Sequence, residues 1–147
     1  MDKKEAALSL FQQSKFNCAQ SVFGVFTDEL GIDRDTALKT AAGFGGGMRC
    51  GEVCGAVTGA LMALGVRFGS STPNDADGKQ LGNSKAIVFT ARFKERHGTL
   101  LCKDLLGYNP GIPEDMEKIH ELGLHDSICP KVIADAVEIA QEMISSK

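Results

Sequence analysis

Apolar residues recur three or four positions apart along almost the whole chain, the spacing of one face of an α-helix. Near the start, Ala6 and Leu10 share a face and Phe11 stands at the adjacent turn of a helix over residues 3–15. From Cys18, the residues Val22, Val25, Phe26 and Leu30 continue the pattern up to Gly31, which predicts a second helix stopped by glycine. Asp33 suits the N-cap of a third helix through Ala41, ended by the glycines at 43 and 45–47. Residues 53–68 read as a fourth helix. Residues 75–97 read as a long fifth, with Gly82, Ala86, Phe89 and Phe93 along one stripe and Gly98 past its end. A short turn follows Thr99, Pro113 opens a helix to about Leu122, and Pro130 opens the last one, with Ile133, Val137, Ala140 and Ile144 on its buried face. No run alternates apolar and polar residues as a half-buried strand does. The expectation is an all-α fold, a compact single-domain bundle of about six to seven helices over residues 1–147.

Composition narrows the function classes. With 147 residues, 43% hydrophobic and 24% charged, the chain can bury a core and does not read as disordered. Sixteen basic against 19 acidic residues give a net charge of −3, so there is no electrostatic footprint for nucleic acid. Trp is absent and Tyr108 is the only tyrosine, which leaves no aromatic platform for stacking bases. Apolar stretches fall well short of the roughly 18–20 residues that cross a bilayer, and the first residues lead into an amphipathic stretch rather than an export signal. The expected setting is the cytoplasm, without membrane insertion.

Five cysteines are many for such a chain, because structural disulfides do not persist in a reducing compartment and grouped thiols there point to redox or metal work. Four of them fall at predicted helix starts. Cys18 follows Asn17, a good N-cap; Cys54 lies one residue after the fourth helix begins; Cys102 lies three after Thr99; Cys129 precedes Pro130 and so reads as an N-cap itself. A helix N-terminus offers free N–H groups and the positive end of the macrodipole, both of which favour a thiolate. The expectation is that Cys18, Cys54, Cys102 and Cys129 are activated thiols. No C-x-x-C occurs, so neither a thioredoxin-type pair nor a zinc knuckle is present locally, and any shared site must be assembled from distant helices. Cys50 and Cys54, four apart, would share one helical turn if that helix started early.

Gly43, Gly47, Gly51, Gly55 and Gly59 recur every fourth residue. Glycine inside a helix costs about 1 kcal/mol relative to alanine, so the series needs a packing or functional reason. Gly55 and Gly59 either let a neighbouring helix pack closely or make room for a bound cluster near Cys54, and such close-packed faces are also compatible with a homodimer. The run at 43–48 fails as a dinucleotide fingerprint because Met48 replaces the last glycine and no strand precedes it; no G-K-[ST] follows, so it is not a P-loop either. His97 ends the long helix, where the dipole favours a cation. His120 and His125 read as too far apart to be neighbours on one turn. Glu52 is either a proton acceptor beside Cys54 or an ordinary first-turn carboxylate, and Arg49 either steadies a thiolate or stands in solvent.

The stretch Asn17-Cys18-Ala19-Gln20, the run Gly43-Phe44-Gly45-Gly46-Gly47, the core Cys54-Gly55-Ala56-Val57-Thr58-Gly59, then Cys102 and Cys129-Pro130, together resemble the C_GCAxxG_C_C family of small redox-active proteins. The resemblance spans nearly the whole chain and implies that Cys18, Cys54, Cys102 and Cys129 are the family's four cysteines; Cys50 lies outside the pattern. A similar cysteine domain occurs in split-Soret cytochromes, which implies an iron–sulfur cluster as one cofactor, although the haem-attachment motifs of those proteins are missing here. Three functions stand open. One is thiol–disulfide exchange or electron transfer with a redox partner, for which four cysteines allow three pairings. Another is an iron–sulfur or zinc module with all four cysteines, Cys18, Cys54, Cys102 and Cys129, as ligands. The last is a non-catalytic helical interaction protein whose cysteines merely pack.

Overall fold

The computed structural model describes residues 2–146, and among them the fold is all-α. The helices are α1 (Lys3–Gln12), α2 (Cys18–Gly24), α3 (Thr27–Leu30), α4 (Arg34–Thr40), α5 (Gly55–Phe68), α6 (Ala76–His97), α7 (Cys102–Leu106), α8 (Pro113–Leu122), α9 (Leu124–Ser127) and α10 (Cys129–Ser145). Seven of them, among the described residues, have seven residues or more. None is long and apolar enough to cross a membrane.

Local chemistry explains most of these limits. Asp2, Asp33 and Asp75 accept a backbone N–H in the first turns of α1, α4 and α6. Asn17 closes a reciprocal capping box with Gln20 at the start of α2. The predicted second helix is in fact two, because the chain tightens at Val25 and Phe26, where the Phe26 N–H donates to the Phe23 carbonyl at 3.1 Å. The turn after Thr99 develops into α7, and α9 completes a near-continuous path from Gly123 into α10.

The centre is α5. Its Ala56, Val57, Ala60, Ala63 and Leu64 are buried, with α2, α6 and α10 packed around it. Phe26, Phe89, Phe93, Ile133 and Ile139 fill the space between these helices with no exposure to solvent. Small side chains on α5 let α2 approach so closely that a Cβ at Gly59 would stand 2.5 Å from the Ala19 carbonyl oxygen. A Cβ at Gly55 would lie 3.0 Å from the Ala19 nitrogen and 3.1 Å from the Cys18 Cβ. Of the two roles open to these glycines, close helix packing is the one visible, and it brings Cys18 beside the start of α5.

The remaining glycines of the four-residue series do not continue that face. Gly46, Gly47, Met48 and Arg49 all have φ of 60–62° and form a left-handed turn, closed when the Glu52 N–H donates to the Gly47 carbonyl at 3.0 Å. Met48 and Arg49 carry side chains in this region, a strain of roughly 1–2 kcal/mol per residue. Cys50 therefore does not share a helical turn with Cys54. It is exposed, and its thiol donates to the Gly47 carbonyl at 3.4 Å.

Candidate functional site

Cys18, Cys54, Cys102 and Cys129 line one pocket of about 30 Å³, room for a water or two. Leu105, Leu106, Ile128 and Val132 give it apolar walls, and Gly46, Gly55 and His125 complete the lining. A larger open recess of about 630 Å³ between Gly69 and Asn83 contains none of the cysteines.

Each of these four cysteines stands at a helix start; Cys18 has the expected register and the other three differ from theirs. Cys18 is the first residue of α2, and Asn17 fixes that start by also donating through Nδ2 to the Ala42 carbonyl at 3.0 Å. Cys54 is the N-cap of α5, and the Ala56 and Val57 N–H groups lie toward its sulfur without closing a cap hydrogen bond. Cys102 opens α7 after Leu101, while Thr99 accepts the Leu101 N–H at 3.1 Å. Cys129 is the first residue of α10, not its cap; Ile128 holds that position and Pro130 is second.

An isolated antiparallel bridge between Val53 and Leu101 joins two of these starts. The Cys54 N–H donates to the Leu100 carbonyl at 2.8 Å, and the Cys102 N–H donates to the Glu52 carbonyl at 2.7 Å. Glu52 itself is exposed and pairs with Lys103 at 3.9 Å, so its backbone rather than its carboxylate serves the site.

The expectation of four activated thiols is corrected by burial. Desolvation, the largest influence on both, pushes the Cys54 thiol up to about 11 and the Cys102 thiol up to about 12. Cys18 is also pushed well up, first by its side-chain hydrogen bond with Cys129 and then by burial. Only Cys129 moves down, because the hydrogen bond from Cys18 steadies its thiolate against burial and the nearby Asp126 charge. A helix dipole is worth about 0.3–1 kcal/mol at an end, less than even one pKa unit of desolvation at about 1.4 kcal/mol. Of the four thiols, Cys129 alone is shifted toward the thiolate.

This burial has a consequence for stability. Cys54 and Cys102 titrate above the ordinary thiol value of 9.0 in the folded state, so their contribution is fully present below pH 9 and is lost as pH rises through about 11 and 12. For Cys54 alone the loss by pH 10.5 is about 2 kcal/mol. Urea unfolding at pH 8 and pH 10.5 should show a falling midpoint, with a smaller fall in Cys54→Ala. Equal falls in the two proteins would contradict the buried neutral thiol.

The histidines depart from expectation in one respect. His97 sits against Asp135 at 2.9 Å, a structural contact at the end of α6. His120 and His125, however, meet edge to face with ring centroids 6.0 Å apart, because the turn at Gly123 folds α9 back beside α8. His125 lines the cysteine pocket, and burial, then His120, lower its pKa. Sequence reasoning misses its place at the site, yet a signal exists: it precedes Cys129 by four residues, one helical turn.

Arg49 also bears on the site. A Cβ at Gly46 would lie 3.3 Å from an Arg49 guanidinium nitrogen, and the positive charge acts on both Cys102 and His125.

Residues 16–143 match the family described as "Putative redox-active protein (C_GCAxxG_C_C)". The chain matches no curated protein and no solved structure. With its four spaced cysteines gathered on one pocket and the match running over most of its length, the chain belongs to the C_GCAxxG_C_C family of redox-active proteins.

Proposed function

We propose that the protein exchanges thiols and disulfides, with Cys129 as the attacking thiol and Cys18 as the resolving one. The observation that carries this reading is the convergence of both cysteines, together with Cys54 and Cys102, on one small pocket with apolar walls, close enough for Cys18 and Cys129 to shift each other's ionisation in opposite directions. The Cys129 thiolate attacks a sulfur of a partner disulfide; that S–S bond breaks, one thiolate leaves and a mixed disulfide forms. Cys18 then loses its proton and attacks the Cys129 sulfur, releasing the second thiolate and closing a Cys18–Cys129 disulfide. Two electrons pass from the protein dithiol to the substrate, and two protons end on the released thiols. Mild oxidation with a small disulfide, followed by peptide mass spectrometry, should find Cys18 linked to Cys129 with the loss of two hydrogens. Failure to form any intramolecular disulfide would end this reading.

A second reading, an iron–sulfur or zinc centre held by four thiolates, is favoured by the convergence of all four sulfurs. Their thiolates would repel one another, and a bound cation or cluster would relieve that repulsion. Among the described residues no three His, Cys, Asp or Glu side chains are already arranged to hold one metal ion, so loading requires the pocket walls to draw inward. Metal content and free-thiol count on one anaerobic preparation separate the two readings. Stoichiometric iron or zinc with four protected thiols selects the second.

A further inference from the structure

The left-handed turn holds a charged side chain beside the pocket at a cost in backbone strain, and its neighbours keep it in that shape. A Cβ at Gly51 would stand 2.5 Å from Asn109 Oδ1, and one at Gly111 would stand 2.7 Å from the Arg49 carbonyl oxygen, so the 109–111 loop presses directly on the turn. Asn109 in turn accepts the Gly111 N–H at 2.8 Å and donates its own N–H to Asp115 at 2.9 Å. At Gly47 a Cβ would lie 2.9 Å from the Cys102 Cβ, so the turn is seated against the pocket wall.

Held there, the Arg49 side chain is exposed and folds back over Gly46, a pocket-lining residue. No carboxylate lies within 4 Å of its guanidinium among the described residues. The other cations near the pocket are engaged, Lys103 with Glu52 and Lys131 with Asp135. An unpaired guanidinium presents a planar fork of donors matched to a carboxylate.

We infer that Arg49 is a substrate-binding residue that selects disulfides bearing a carboxylate close to the sulfur–sulfur bond. The inference rests on the thiol-exchange reading. Arg49 binds the carboxylate outside the pocket while the disulfide enters toward Cys129. The oxidant is the substrate disulfide itself, which leaves as two thiols as Cys18 and Cys129 become a disulfide. The same positive charge favours the thiolate at Cys102 and opposes protonation of His125, two residues that line the pocket.

The test uses 3,3′-dithiodipropionate, which is anionic, and 2-hydroxyethyl disulfide, which is neutral, as oxidants of the full chain. Their rate ratio cancels differences in folding and in thiol reactivity that are common to both. In Arg49→Gln the anionic-to-neutral ratio should fall about tenfold, one charge-assisted contact. Arg49→Lys should restore part of it, and raising salt should reduce the wild-type ratio. Lys103→Gln, which alters a rim cation already paired with Glu52, should leave the ratio within about twofold. A ratio unmoved by Arg49→Gln, or moved equally by Lys103→Gln, overturns the inference while leaving thiol exchange intact. If neither disulfide oxidises the wild-type pair, both fall together.

Discussion

In a Cys50→Ser background, replacing Cys129 by serine should slow the reaction of the reduced protein with a neutral disulfide at pH 7 by about tenfold or more. At that pH a thiol titrating near 11, as Cys54 does, is ionised to about one part in 10⁴, and one near 12, as Cys102 does, to about one part in 10⁵. Each thiolate gains nucleophilicity as its pKa rises, but only about threefold per unit against the tenfold loss of thiolate. Cys129, held below its ordinary value by Cys18, is the one buried thiol that escapes this penalty. The partner substitutions separate the two roles of Cys18. Cys18→Ser retains a hydroxyl able to donate to Cys129, so attack continues but the mixed disulfide accumulates unresolved. Cys18→Ala removes the donor as well, leaving burial and Asp126 to raise the Cys129 pKa. The pH–rate profile should move to higher pH in Cys18→Ala and much less in Cys18→Ser. Stopped-flow rates and intact mass together check this. In that background, with exposed Cys50 already removed, a Cys129→Ser protein reacting at an undiminished rate would place the reactive sulfur elsewhere.

Two glycines of the same helix should respond with opposite signs. A side chain at Gly59 would drive into the backbone of Ala19. Backbone cannot swing aside as a flexible side chain can, so Gly59→Val should destabilise the fold by about 3 kcal/mol. For a chain of this length that lowers Tm by roughly 10 °C. At Gly65 nothing lies within 4 Å of the added carbon, so Gly65→Ala should gain up to about 1 kcal/mol from helix propensity. Thermal unfolding of both variants distinguishes close packing from a general dislike of side chains on α5. Gly59→Val should also impair formation of the Cys18–Cys129 disulfide, because α2 carries Cys18 and would be displaced from α5.

Much of this architecture is legible in the chain. Asp75 and Gly98 bracket α6, Pro113 opens α8, and the apolar spacing of Ile133, Val137, Ala140 and Ile144 marks the buried face of α10. Local chemistry decides such features, so local reading finds them. The break between α2 and α3 is hidden because Val22, Val25, Phe26 and Leu30 keep helical spacing across it. The left-handed turn is hidden for a different reason. Nothing in Met48 or Arg49 asks for positive φ; the demand comes from the 109–111 loop, far away in sequence. Helix starts at the four cysteines can be anticipated, but their ionisation cannot, because it depends on which apolar side chains close over them. Leu105, Leu106, Ile128 and Val132 do so here. The meeting of His120 with His125 likewise depends on how the Gly123 turn reverses the chain.

The bridge between Val53 and Leu101 makes the two sides of the sulfur pocket mechanically unequal. Cys54 and Cys102 are each tied through their own amides to the opposite segment, so parting them means breaking main-chain bonds. Cys18 and Cys129, on α2 and α10, have no such tie between them among the described residues and rely on side-chain packing. The pair that must change its sulfur–sulfur separation during turnover therefore sits on the compliant wall. Deuterium should reach the amides of Cys54 and Cys102 late and together, whichever way the opposite wall breathes.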